Sequence, residues 1–235
     1  MLETRNLRVG YGGNPVVEGI NICVEDGEIV AVLGRNGSGK TTTLSTIAGL
    51  LSPISGEVCL DGVVVTDPLH RRARRGVALI PEERAVIKRL SVWDNMRLGI
   101  GKPKDALELF PELVPLRNRN VGLLSGGEQQ MVALARCLAA KPRLLLVDEL
   151  SFGLAPLIVE RLGDALKLAA KGGAGVLLVE QHAHIALSLA DRGYVLGLGQ
   201  VQTTGTAEEL THRWGEIESS YLSSGVLEAE AGHLD

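Results

Sequence analysis

Three stretches of the chain are apolar at nearly every position rather than at every second one: Glu28-Ile29-Val30-Ala31-Val32-Leu33, Leu144 to Val147, and Gly175 to Val179. Strands buried on both faces read this way, and such strands are typical of parallel sheets. Between the last two, the pattern predicts a helix from about Pro156 to Lys171. Upstream, Leu2 to Val9 and Ile20 to Val24 read as strands separated by a turn cluster, Gly10-Tyr11-Gly12-Gly13-Asn14-Pro15. A helix follows from about Lys40 to Leu50, and Gly56 to Val65 reads as a hairpin around Asp61-Gly62. From about Ala85 to Ala140 the periodicity is mainly helical, broken by Pro103, Pro111 and Pro115. Strand–helix alternation returns, and a last hairpin, Tyr194 to Thr203 turning at Gly199, leads into a polar helical tail.

The expected fold class is therefore α/β: a mostly parallel sheet flanked by helices, with an N-terminal antiparallel β part and an inserted helical part. We expect a single domain over 1–235. Its core would span about 1–84 and 141–222, its helical part about 85–140, and a tail 223–235.

Composition narrows the function classes. With 45% apolar and 22% charged residues the chain has the balance of a globular protein, and 24 − 28 = −4 charges imply no general affinity for nucleic acid. The basic run His70-Arg71-Arg72-Ala73-Arg74-Arg75 reads as a solvated helix face. Cys23, Cys59 and Cys137 are scattered among apolar neighbours without metal-ligand spacing, as expected of small core residues in a reducing compartment. Met1-Leu2-Glu3-Thr4-Arg5 lacks a signal pattern, and no run approaches the roughly 20 apolar residues of a membrane-spanning helix.

The sharpest chemistry is Gly34-Arg35-Asn36-Gly37-Ser38-Gly39-Lys40-Thr41, which fits G-x-x-x-x-G-K-[ST] between an apolar strand and a helix. The glycines let successive backbone N–H groups aim at phosphate oxygens, and the helix start adds its positive dipole end. Lys40 supplies a point charge for the β- and γ-phosphates, and the Thr41 hydroxyl is a Mg²⁺ ligand; Thr42 belongs to the same binding stretch. This identifies a nucleotide site with Mg²⁺ as the expected metal, but does not separate a motor from a kinase or GTPase.

The apolar run Leu144 to Val147 ends in Asp148-Glu149. A buried strand delivers its last residues to the carboxyl edge of a parallel sheet, where ligands bind. There Asp148 can hold Mg²⁺ and Glu149 can polarise the water that attacks the γ-phosphate. The bland alternative, a strand that merely stops at charged residues, loses ground once the phosphate loop lies upstream.

Leu124-Ser125-Gly126-Gly127-Glu128-Gln129-Gln130 opens an apolar helix. Ser125 is an N-cap candidate, while Gly126 and Gly127 expose backbone N–H groups, so this is a second anion-binding edge or an ordinary glycine-containing helix start. As a string it resembles the signature of the ABC ATPases, and it falls just before the acidic strand, as in that family. The resemblance covers Leu2 to about Leu222.

The resemblance implies a P-loop NTPase core working as a head-to-tail dimer. ATP on one subunit's phosphate loop would be closed over by Ser125, Gly126 and Gly127 of a second ABC ATPase subunit, a sister or a second copy. It further implies that Tyr11 stacks on adenine and that Glu82 stands where most members have a metal-sensing glutamine. Ser151 to Pro156 would touch the opposite subunit. Gln181, or His182 one residue on, would take the place of the switch histidine. The strings Pro81-Glu82, Gly153-Leu154-Ala155-Pro156, Val179-Glu180-Gln181 and Ala190 to Leu196 resemble ATP-binding subunits of branched-chain amino-acid importers, and those of urea and short-amide importers share most of them. The implied partners are membrane permease subunits and, indirectly, a solute-binding protein, at the cytoplasmic face of the cell membrane. A non-transport ABC ATPase is disfavoured by the single compact cassette without a heptad run.

Overall fold

The computed structural model describes residues 1–220; the expected tail 223–235 lies outside them. β1 (Leu2–Tyr11) and β2 (Asn14–Ile20) form an antiparallel hairpin. Its turn is only Gly12-Gly13, shorter than the predicted cluster, because Gly10 pairs with Pro15 and Tyr11 with Asn14. β3 (Cys23–Val24) also pairs with β1. Then come β4 (Ile29–Leu33), α1 (Lys40–Ala48), and a hairpin of β5 (Ser55–Leu60) and β6 (Val63–Val64) turning at Asp61-Gly62. β5 pairs with β1, so β2-β1-β5-β6 with β3 make an antiparallel sheet.

α2 (Leu69–Arg74) leads to β7 (Val77–Ile80), a strand that the residue pattern alone does not single out. The mainly helical stretch holds α3 (Val92–Arg97), α4 (Pro103–Leu109), two 3₁₀ turns (Pro111–Leu113 and Val121–Leu123) and α5 (Gly126–Leu138). After it follow β8 (Leu144–Asp148), α6 (Pro156–Lys171), β9 (Gly175–Glu180), α7 (Ala183–Leu189), β10 (Arg192–Gly197), β11 (Gln200–Thr206) and α8 (Ala207–His212).

The second sheet has the order β11-β10-β4-β9-β8-β7, parallel throughout except for the β10–β11 hairpin. Its middle strands are buried at every residue, and they serve two cores. Ile29, Ala31 and Leu33 of β4, with Leu145, Val147, Val176 and Leu178, pack toward α5, α6 and α7 through Leu134, Leu162 and Ala186. Val30, Val32, Leu144, Leu146, Leu177 and Val179 pack the other way, against Leu44 and Ile47 of α1 and Leu7, Val9 and Val17 of the first hairpin. Because side chains alternate across a strand, this two-sided burial is what the continuous apolar runs encode.

Two expectations need correcting. The run from His70 to Arg75 is not a solvated face throughout. Arg72 is 2% exposed, and its guanidinium donates to the carbonyls of Asp67, Val65, Thr46 and Ile47, tying α2 to the end of α1. Helix periodicity turns one residue of a charged run inward, and carbonyls there satisfy it. Of the cysteines only Cys59 is buried; Cys23 and Cys137 are partly exposed.

Candidate functional site

The parallel strands all end at one edge of the sheet, the place where ligands gather in open α/β folds. The register aligns Leu33 with Glu180, Val179 with Asp148, and Val147 with Ile80. The loops leaving these ends therefore start side by side.

The loop after β4 is Gly34 to Gly39, and α1 begins at Lys40. Gly39 sits at the N-cap with φ 93°, and a Cβ there would lie 2.0 Å from a Val17 methyl. Only glycine lets the loop turn this tightly while hairpin β1–β2 packs against it. Lys40 folds back into the loop. Its Nζ donates to the carbonyls of Gly34 (2.8 Å) and Arg35 (3.1 Å) and lies 3.9 Å from Glu149. Burial lowers the Lys40 pKa, opposed by the carboxylates of Glu149, Asp148 and Glu180.

Ser38 Oγ is buried and has no hydrogen-bond partner among the described residues. A buried hydroxyl of that kind marks a place built for another polar group. A glycine-rich loop at a helix start, an orphan hydroxyl and a lysine fit a phosphate chain. Arg35, Asn36 and Gly37 form the exposed rim of the loop, and Thr42 is buried beneath it.

Across from the loop, Thr41 Oγ1 donates to Asp148 Oδ1 at 3.3 Å. Burial raises the Asp148 carboxyl to about 6; the Thr41 hydrogen bond and Lys40 oppose this, while Glu149 and Glu82 reinforce it. A carboxylate disfavoured by burial gains most from an arriving cation. Among the described residues no three His, Cys, Asp or Glu side chains are grouped closely enough to hold a metal. Magnesium suits such a sparse donor set, since it binds through one or two carboxylates plus substrate phosphates. Thr41 and Asp148 would be its protein ligands. Glu82 follows β7 on an exposed loop, near enough for its charge to act on Asp148.

Glu149 leaves the strand in the left-handed region, φ 47°, with its N–H bonded to the Val179 carbonyl. That conformation is uncommon outside glycine and clusters at functional sites. Here it places the carboxylate beside Lys40.

Ser125 caps α5 in a reciprocal capping box with Glu128: the Glu128 N–H donates to Ser125 Oγ, while the Ser125 N–H and hydroxyl donate to Glu128 Oε2, each at 2.7 Å. Gly127 lies against α6, where an added Cβ would be 2.8 Å from an Ile158 methyl. No hydrogen bond or ion pair among the described residues joins Ser125, Gly126, Gly127 or Tyr11 to Lys40, Thr41, Asp148 or Glu149. Tyr11 is 57% exposed at the tip of its hairpin. Gln181 and His182 are exposed at the end of β9, His182 as the N-cap of α7.

One functional candidate escapes the motifs. Glu180 is 1% exposed, and both its carboxylate oxygens accept from Ser151, one from the N–H and one from the hydroxyl, each at 2.9 Å. Burial raises its pKa, against those two hydrogen bonds. Apart from its place in the string Val179-Glu180-Gln181, which gives it no role of its own, the sequence signal is a carboxylate closing an apolar strand, the same signal that marks Asp148.

The profile of the family described as ABC transporter matches residues 17–151. The chain is 39% identical over 232 residues to the high-affinity branched-chain amino acid transport ATP-binding protein BraG of Pseudomonas aeruginosa, covering 94% of this chain and 99% of that one. It is 38% identical to the probable branched-chain amino acid transport ATP-binding protein LivF of Archaeoglobus fulgidus, covering 89% and 94%. With the lipopolysaccharide export ATP-binding protein LptB of Haemophilus influenzae it shares 35%, covering 89% and 92%. Among solved structures, an ATP-binding subunit of an ABC transporter superposes with TM-score 0.79 at 28% identity over 97% of this chain and 98% of that one. A dimeric bacterial ABC transporter cassette superposes with TM-score 0.79 at 27% identity over 88% and 99%.

Proposed function

Since the chain belongs to the ABC transporter family, as an ATPase subunit whose hydrolysis is coupled to transport, we propose that it drives an importer of branched-chain amino acids. It works as one half of a nucleotide-sandwich dimer seated on separate permease subunits at the cytoplasmic face of the membrane. A solute-binding protein delivers the cargo on the other side. Among the described residues no helix is long and apolar enough to cross a membrane.

The observation that carries the motor reading is the convergence of Lys40, Thr41, Asp148 and Glu149 on one sheet edge. In this reading the phosphate loop and Lys40 bind and orient the triphosphate. Thr41 and Asp148 hold the magnesium, which when bound neutralises charge on the phosphates. Glu149, set apart from Asp148 by its left-handed backbone, orients the attacking water and accepts its proton. Tyr11 stacks on the base, and Glu82 borders the metal. Ser125, Gly126 and Gly127 close over the nucleotide held by the opposite subunit, and Gln181, with His182 beside it, meets the γ-phosphate.

The cargo comes from likeness to the branched-chain relatives, at 39% and 38% identity. The export motors, at 35%, supply the second reading, and urea or short amides the alternative cargo.

A Glu149→Gln variant separates binding from hydrolysis. With ATP and Mg²⁺ it is expected to run as a dimer in gel filtration, and a monomer under all conditions would defeat the sandwich. For the cargo, proteoliposomes carrying the motor with its permease subunits are expected to take up labelled leucine. Uptake of urea alone, or failure of those permeases to accept any small solute, would move the assignment to one of the other readings.

A further inference from the structure

Glu180 is a carboxylate buried at the last residue of β9, and burying a charge is costly unless it is paired and hydrogen-bonded. An apolar residue there would continue the strand's own pattern, Gly175 to Val179, at no such cost. The hydrogen bonds made by its oxygens are both to Ser151, which is itself 5% exposed. Its charge also acts on Lys40, but the hydrogen bonds that offset the burial run to one residue, and they reach the segment that follows the acidic pair.

That segment is a series of turns. The Phe152 N–H donates to the Glu149 carbonyl and the Leu154 N–H to the Ser151 carbonyl. It is moored to β9 at two adjacent points: Glu149 N–H on the Val179 carbonyl at 2.9 Å, and Ser151 on Glu180. The first mooring sets where the strand ends. The second holds Ser151, two residues past Glu149, whose backbone is left-handed. Glu180 also stands opposite Leu33 in the sheet, directly before the phosphate loop, and directly before Gln181 in sequence.

We infer that Glu180 is a positioning residue for hydrolysis: through Ser151 it holds the turn that aims Glu149, and it ties that turn to the strand bearing Gln181. Its role is to act through Ser151 rather than on the reacting atoms. The inference rests on the hydrolytic reading of the site, and the control below separates the two.

Steady-state ATPase rates against ATP concentration, with Mg²⁺, test it on the wild-type chain and on Glu180→Ala, Glu180→Gln and Ser151→Ala. Glu180→Ala is expected to lose about tenfold in kcat, the effect of a misplaced catalytic group, with KM for ATP within about twofold. Glu180→Gln keeps an acceptor for the Ser151 N–H and an amide that can donate to its hydroxyl, so it is expected to recover most of the rate. Ser151→Ala reads the contact from its other side, with a smaller loss confined to kcat, and it does so even if Glu180→Ala fails to fold. Wild-type kcat in Glu180→Ala, a loss in KM alone, a Glu180→Gln as slow as the alanine, or an unaffected Ser151→Ala would each overturn the inference. A wild-type chain without ATPase activity would count against the hydrolytic reading instead.

Discussion

Replacing Arg72 by methionine keeps the length and much of the volume of the side chain but removes its donors. Four carbonyls then lose them: Asp67, Val65, Thr46 and Ile47. Thr46 keeps the Gly49 N–H as a partner, which leaves three to find new ones. A buried acceptor without a partner costs about 1–3 kcal/mol. Relief from no longer burying a guanidinium recovers part of this, so we expect a net loss of about 4 kcal/mol. At about 2–4 °C per kcal/mol for a domain of this size, the midpoint of thermal unfolding should fall by about 10 °C. Arg74→Met, on the exposed side of the same helix, should move it by less than about 2 °C. Circular dichroism melts of the two variants beside the wild type make the comparison. Equal shifts would show that the inward turn of Arg72 contributes nothing, and that the basic run is a plain solvated face after all.

The remaining expectations concern the site. The Asp148 carboxyl titrates near 3.8 when unfolded and about 6 when folded. Between those values unfolding releases a proton, so stability falls as pH rises, and the penalty is complete above about pH 6. Without nucleotide or magnesium, Asp148→Asn should therefore melt higher than the wild type at about pH 8 and together with it near pH 4; identical melts at both would refute the burial argument. Gln181→Ala should slow turnover more than His182→Ala, because Gln181 directly follows the strand end while His182 caps α7. The reverse order of ATPase rates would give the switch role to His182.

Much of this fold can be read from residues alone where packing leaves a pattern. β4, β8 and β9 are visible because both faces of the sheet are covered, so every position is apolar. The hairpin turns at Asp61-Gly62 and Gly199 are visible because positive φ selects glycine beside them. Lys40, Thr41, Asp148 and Glu149 come together because a strand end is a fixed address in a parallel sheet. What stays hidden has partners without a sequence signature. Arg72 is satisfied by main-chain carbonyls that any residue supplies, so nothing distinguishes it from Arg71 or Arg74. Glu180 is paired with a serine 29 positions away, and only the register of β9 beside β8 brings the two together. The first hairpin runs past Gly10 and Tyr11 because cross-strand pairing outweighs their turn preference.

The ammonium of Lys40 already rests on the carbonyls of Gly34 and Arg35. It is thus a strut inside the loop as well as a charge for a ligand. Deleting it, the habitual way to make an inactive control, removes an internal support and a binding group in one stroke. A silent Lys40→Ala chain would then report either a lost ligand contact or a slackened cradle, and Glu149→Gln, which leaves both carbonyl contacts of Lys40 in place, is the cleaner choice of inert reference.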